Sequence, residues 1–179
     1  EVLVNNHGIF DFKPFTAETD EEWQHYFDVN VLSQVRLSRH YLPGMLERKT
    51  GRIIFSSSGA AVTPLPMATA MRHSFHRVHR EPRALSELTK GTEVTVNSVL
   101  IGPTASEGAN AKFGELAAAS GADPDQFLQG FLATMPSYAL NRMATPDETA
   151  NIFLFLASKQ GLLINGTAQR ADAACIRHI

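Results

Sequence analysis

Three hydroxyls in a row, Ser56-Ser57-Ser58, follow the apolar run Ile53-Ile54-Phe55 and precede Gly59. A short apolar run bounded by glycines, here Gly51 and Gly59, is the pattern of a strand buried on both faces. Such strands belong to parallel α/β sheets, whose ligands sit beyond the carboxyl ends of the strands. The serines therefore stand where hydroxyls can hydrogen-bond a ligand, although Ser and Gly are also ordinary turn residues. A second signal is Asn30, an amide inside the apolar stripe of Trp23, Tyr26, Phe27, Val31, Val35 and Leu42. It is either a buried amide satisfied by backbone or water, or a hydrogen-bonding member of a site. A third is the imidazole series His73, His76 and His79. Positions three apart drift around a helix by about 60° per step, and no cysteine or carboxylate completes a tetrahedral set. With Arg72, Arg77, Arg80 and Arg83 the series reads as a solvated cationic face, and no metal site is expected.

The elements that must position these groups follow from pattern. Glu1 to Asn6 reads as a short strand closed by Asn5-Asn6-His7-Gly8, residues that tolerate a sharp exit. Thr19-Asp20-Glu21-Glu22 is a capping box opening a helix to about Glu47. After a loop through Pro64 and Pro66, Met71, Phe75, Val78, Pro82 and Leu85 keep a helical stripe that Pro82 must kink or end. Glu93 to Leu100 alternates β-branched and polar residues as a strand does, and Ile101-Gly102-Pro103-Thr104 makes a rigid turn. Residues 105–140 are helical stretches broken by Gly121 and Pro124, read as a mobile flap over the sheet edge. A second capping box, Thr145-Pro146-Asp147-Glu148, starts a helix to about Ser158 that is apolar on nearly every side. One face of it suits the sheet and the other a second subunit. Asn165-Gly166 turns into a last strand, Thr167 to Asp172. Strand and helix alternate, which predicts a parallel α/β layer arrangement.

Composition narrows the function classes. The 179 residues suffice for one domain with a sizeable core, and a net charge of −2 argues against nucleic acid or an anionic membrane as partner. Cys175 is the sole cysteine, so no internal disulfide forms and a reducing, cytoplasmic compartment is expected. No apolar run approaches the ~18 residues of a membrane span, and no signal peptide is visible. Glu1 stands directly before the strand residues Val2-Leu3-Val4, from which a missing beginning is expected.

Taken together, these pieces resemble the short-chain dehydrogenase/reductase family over nearly the whole chain. Leu3-Val4-Asn5-Asn6-His7-Gly8 is similar to the family's Asn-Asn-Ala-Gly strand end, and Asn30 in Phe27-Asp28-Val29-Asn30-Val31 to its helix asparagine. Ser56, three residues before Gly59, resembles its catalytic serine. Val94 to Thr104 resembles the strand and turn that hold the nicotinamide, and Asn165 to Asp172 the last strand. The resemblance implies a Rossmann-like parallel sheet with flanking helices, residues 1–179 forming a partial domain from the family's fourth strand onward. It implies hydride transfer between NAD or NADP and a small carbonyl or alcohol substrate. By position Ser56 would orient the substrate and Asn30 hold a relay water. Asn6, His7 and Gly8 would line the adenosine side, and Ile101, Gly102, Pro103 and Thr104 would meet the carboxamide.

The departures are equally specific. No Gly-rich phosphate loop occurs, so the pyrophosphate lacks its helix N-terminus. The family's Tyr-x-x-x-Lys pair is also missing. Thirteen residues after Ser56 stands Thr69, with His73 four further on; counting back from Leu85 points instead to Met71 and Phe75. Ala173-Ala174 follows Asp172 where the family usually has a glycine pair. Two readings stay open: an oxidoreductase whose activity in this chain is doubtful, and a non-catalytic relative acting as a scaffold. In either, a homo-oligomer through the 147–157 helix and the 19–47 helix is expected. A methyltransferase on a similar sheet is a remoter reading, without a Gly-rich first loop to support it.

Overall fold

Four strands, Val2–Asn5 (β1), Thr50–Ser58 (β2), Glu93–Ile101 (β3) and Ala168–Ala171 (β4), form one sheet in the order β1-β2-β3-β4. Every neighbouring pair is parallel. The computed structural model describes residues 1–63, 67–135 and 137–177; Pro64 and Pro66 of the expected loop lie outside them. All four strands fall where the residue patterns put them. β3 is more deeply set than its alternation suggests, because Val94 to Leu100 are all buried. Its polar positions are spent on neighbours: Asn97 donates to the Ile164 carbonyl and accepts from the Thr167 amide and hydroxyl. That bonding fixes where β4 begins.

One face of the sheet carries Ile53, Phe55, Val94 and Val96 against Val31, Leu42, Met45 and Val78. The other carries Ile54 and Val99 against Leu156, Ile152 and Phe153. The first layer is not the single regular helix expected from Thr19 to Glu47. Asp20–Tyr26 (α1) passes through a π-helical turn, Phe27–Leu32, into Ser33–Arg48 (α2). The wider turn shifts the phase of the stripe, so Asn30 is fully buried while Phe27, expected to face the sheet, is 41% exposed. Thr69–Val78 (α3) and Glu81–Ser86 (α4) follow, with Pro82 in the first turn of α4, so the expected break falls between them.

The segment read as a flap forms two capped helices, Glu107–Ser120 (α5) and Pro124–Ala133 (α6). Gly121 ends α5 with a φ of 69° and Asp123 caps α6 ahead of Pro124. Pro146–Ala157 (α7) packs on the second face. Beneath it the buried Arg52 donates to the carbonyls of Gly51, Glu93 and Ser158. This places a guanidinium at the negative end of the α7 dipole. Leu154 and Phe155 on the far side of α7 are exposed, as are Val2 and Val4 on the β1 edge. Among the described residues no helix is long and apolar enough to cross a membrane.

The start of α7 is held by charge as well as by its cap. Thr145 accepts from the Glu148 amide, Glu148 accepts from the Thr145 amide, and Arg142 grips the same carboxylate at 2.7 and 2.8 Å. The Arg142 guanidinium, with the Thr145 N–H, holds the Glu148 carboxyl down at about 2. A folded-state pKa below the unfolded one stabilises above the ordinary carboxylate range and is lost as pH falls. The stability gap between wild type and Glu148→Gln should therefore be constant above pH ~5 and close as pH approaches ~2. Denaturant unfolding at a series of pH values measures it; a gap independent of pH would refute the assignment.

Candidate functional site

At the carboxyl ends of β1, β2 and β3 lies a cavity of about 610 Å³. From the β1 exit come Asn6, His7 and Gly8, from the β2 end Ser56, Ser57 and Ser58, and from the β3 end Ile101, Gly102, Pro103 and Thr104. Eight of the nine residues singled out from sequence thus share one wall. Asn30 stands behind it. Its Oδ1 accepts from the Ile9 amide at 2.7 Å, and its Nδ2 donates to the Ile9 carbonyl at 3.0 Å and to Ser74 Oγ at 2.8 Å. Both amide hydrogens are committed, so the side chain ties the β1 exit loop to α3 and does not face the cavity.

The serines differ in what their hydroxyls do. Alternation along β2 sends Ser57 to the α3 layer, where it donates to the Phe75 carbonyl at 3.1 Å. Ser56 lies two residues inside the strand, paired with Val99. Ser58 is the last strand residue, paired with Ile101 beside the Gly102-Pro103-Thr104 turn. Its Oγ accepts from the Ala60 amide at 3.1 Å, which orients the hydroxyl and leaves its proton to donate. The sequence signal for Ser58 was the second register: Met71, not Thr69, reaches the cavity from α3, and Met71 is thirteen residues beyond Ser58.

The same helix decides what occupies the other two positions. Met71 and Phe75, four residues apart, line the cavity. His73, of the alternative register, is exposed, its ring 5.2 Å from Trp23 and its Nδ1 on the Thr69 carbonyl. His76 and His79 meet edge to face at 4.8 Å. Burial, then the charges of His76 and Arg80, push His79 below its ordinary range. Among the described residues no three His, Cys, Asp or Glu side chains gather as a metal would need. No tyrosine lines the cavity. Tyr26 packs nearby with Phe10, Phe12 and Met71, but burial and the charges of Asp11, Glu18 and Glu22 push its phenol up to about 12. Cys175 lines the cavity too, with its thiol pushed up by burial and by Asp172.

The C-terminal segment closes the β3 side. A Cβ on Gly102 would come within 2.9 Å of Asp172 Cα, so only glycine lets that backbone approach. Asp172 is buried, bonded to Arg170 and to the Ile176 amide. Ala173 and Ala174 then take φ of 45° and 67°, the left-handed region where glycine is at home. The family's glycine pair at this point thus has a backbone reason.

The nicotinamide of NAD(P) would find the Ile101–Thr104 backbone and the open approach at Gly102. Its ribose and phosphates would not be served. Phe75 lines the cavity, and among the described residues no ammonium, guanidinium or carboxylate does. The first turn of α1 carries Asp20, Glu21 and Glu22, the wrong sign for a phosphate. The described residues fit the neutral ring and not the charged remainder.

Comparison with known proteins is consistent over almost the whole chain. Residues 1–173 match a family described as enoyl-(acyl carrier protein) reductase. The chain is 46% identical to the uncharacterized oxidoreductase YvrD and 36% identical to the uncharacterized oxidoreductase YvaG, both of Bacillus subtilis. Each match spans all of this chain and 68% of the relative. Among solved structures, L-sorbose reductase from Gluconobacter frateurii, complexed with NADPH and L-sorbose, superposes with a TM-score of 0.88 at 28% identity. That match covers 99% of this chain and 67% of the other.

Three substitutions probe the framework. Asn30→Ala should destabilise by about 3 kcal/mol, since it strands the Ile9 amide and carbonyl together and takes one donor from Ser74, whose own proton stays on the Met71 carbonyl. Ala173→Gly and Ala174→Gly should each stabilise by about 1 kcal/mol by relieving the left-handed backbone. Urea melts of the three variants report both, and a stabilised Asn30→Ala or a destabilised glycine variant would overturn the respective account.

Proposed function

This chain belongs to the short-chain dehydrogenase/reductase family, a family of oxidoreductases, and on that premise we propose that its cavity is the substrate and nicotinamide end of an oxidoreductase site. The reaction class is hydride transfer between NAD(P) and a carbonyl or alcohol, with the cofactor supplying the hydride chemistry. The observation that carries the reading is the meeting of Asn6–Gly8, Ser58 and Ile101–Thr104 around one cavity at the carboxyl ends of the strands. In this reading Ser58, held by the Ala60 amide, donates a hydrogen bond that orients the substrate oxygen. Ser56, on the same face of β2, lies deeper. Asn30 acts by positioning the Ile9 loop and α3.

A second reading has its own observation. Met71 and Phe75, four residues apart, line the cavity; in this reading they take the places of the family's proton donor and of the cation that tunes it, so the wall that would protonate a nascent alkoxide is apolar. A positioned general acid contributes about 10²- to 10⁴-fold, or roughly 3 to 5 kcal/mol. A serine alone does not replace it. We therefore propose that the chain as it stands binds at this site without appreciable turnover, as the scaffold reading requires. Self-association is proposed through α7, supported by exposed Leu154, Phe155 and Leu163, and through α2, supported by exposed Leu37 and Tyr41. Half-buried, unpaired Cys175 supports a reducing, cytoplasmic setting.

The test is NADH and NADPH oxidation with a panel of ketones, by this chain carrying a family member's Gly-rich phosphate-binding unit ahead of Glu1. Met71→Tyr with Phe75→Lys should raise turnover by about 100-fold or more, and Thr69→Tyr with His73→Lys should not. In the active background Ser58→Ala should lower kcat by about 100-fold with cofactor affinity kept, while Ser56→Ala changes it little. Brisk turnover by the chain lacking both substitutions, or rescue by the Thr69 and His73 pair, would sink the assignment.

A further inference from the structure

The half of the cavity away from the serines is built almost wholly of rings and thioethers. Phe10 and Phe12 arrive on the β1 exit loop, Phe113 on α5 and Phe131 on α6. Their rings form one connected wall: Phe10 to Phe12 at 6.1 Å, Phe12 to Phe113 at 6.0 Å, Phe12 to Phe131 at 5.7 Å and Phe113 to Phe131 at 4.8 Å. All four rings are only partly buried, and all four border the cavity. At its margin Lys112 bonds Asp11 at 2.7 Å, joining α5 to the loop that carries Phe10 and Phe12. Met71, Met135 and Met143 fill the gaps with side chains that adapt their shape.

The polar side chains at the other end are few and mostly engaged. Thr104 donates to the Gly102 carbonyl and meets Thr149 at 3.0 Å, and Ser106 caps the Ala109 amide. An anionic substituent placed among the rings would lose its hydration at a cost of several kcal/mol, since among the described lining residues there is no lysine or arginine and Lys112 at the margin is already paired with Asp11. A polyol would strand its hydroxyls there for the same reason. An aromatic or alicyclic body gains on both counts, from apolar burial and from edge-to-face or stacked contact with the rings.

We propose that this cavity takes a neutral carbonyl compound, or its alcohol, with an aromatic or alicyclic body, the body lying against Phe10, Phe12, Phe113 and Phe131 and the oxygen directed at Ser58. The oxygen's role rests on the oxidoreductase reading above; the apolar body rests on the wall alone.

Saturation-transfer NMR and calorimetric titration of the 179-residue chain with acetonaphthone, naphthoate and L-sorbose separate the two. Acetonaphthone should bind about tenfold or more tightly than naphthoate, equal in size but anionic, and L-sorbose should show no transfer. Phe113→Ser and Phe131→Ser should each weaken acetonaphthone by about fivefold. Phe127→Leu, whose ring packs on Phe113 outside the cavity wall, should leave it nearly unchanged. Naphthoate or L-sorbose binding as well as the ketone overturns the inference, and this wild-type comparison stands even where a serine variant fails to fold. Serine variants that fold and bind normally overturn it too. If the ketone binds as expected but is never reduced by the Met71→Tyr, Phe75→Lys protein, the oxidoreductase reading falls and the apolar class stands.

Discussion

Asn30 spends its whole side chain on holding three elements in register. One amide group meets both backbone atoms of Ile9 and the hydroxyl of Ser74. It thereby couples the loop leaving β1, the π-helical turn and the body of α3. Each of those elements contributes to the cavity or backs it, and the loop meets the start of α3 again at the Lys13–Ala68 bridge. The π turn belongs to the same constraint, because it rotates Asn30 inward while leaving α2 to cover β2. The apolar stripe around Asn30 excludes competing water, which is what makes such bonds costly to leave unmade.

Around that joint the site combines preserved geometry with altered chemistry. The strand ends, the close approach of Gly102 to Asp172 and the orienting bond on Ser58 meet around one cavity. The α3 face toward the cavity presents Met71 and Phe75, where the proposed reading would need a proton donor and a cation. These packed side chains add apolar surface to the core, with Phe75 touching two hydrophobic clusters. Stability and proton transfer therefore make opposite demands on the same two positions. Of the cationic series around α3 and α4, His73, Arg77, Arg80 and Arg83 are exposed, whereas Arg72, His76 and His79 are half-buried and Met71, Ser74 and Val78 face in.

The parallel order of elements, the strand limits and both capping boxes were legible in the sequence because each is local. Apolar runs, threonine caps with glutamate three residues on, and glycine or proline at turns act within a few residues of themselves. Ser58 and the Met71–Phe75 register were less legible. A one-dimensional count gave two registers for α3, and only the packing of that helix against the sheet shows which residues reach the cavity.

Sequence alone determined that residues 1–179 make a parallel α/β layer of this family and that Asn6–Gly8 and Ile101–Thr104 leave strand ends, since hydrophobic period and turn chemistry are properties of neighbouring residues. Tertiary structure decided the rest. It committed the Asn30 side chain to Ile9 and Ser74, exposed Phe27, and showed that Ala173 and Ala174 inherit a glycine conformation. It also gathered Phe10, Phe12, Phe113 and Phe131, up to 121 positions apart, into one wall. Such contacts are set by how helices and loops stack on the sheet, and no periodicity along the chain encodes them.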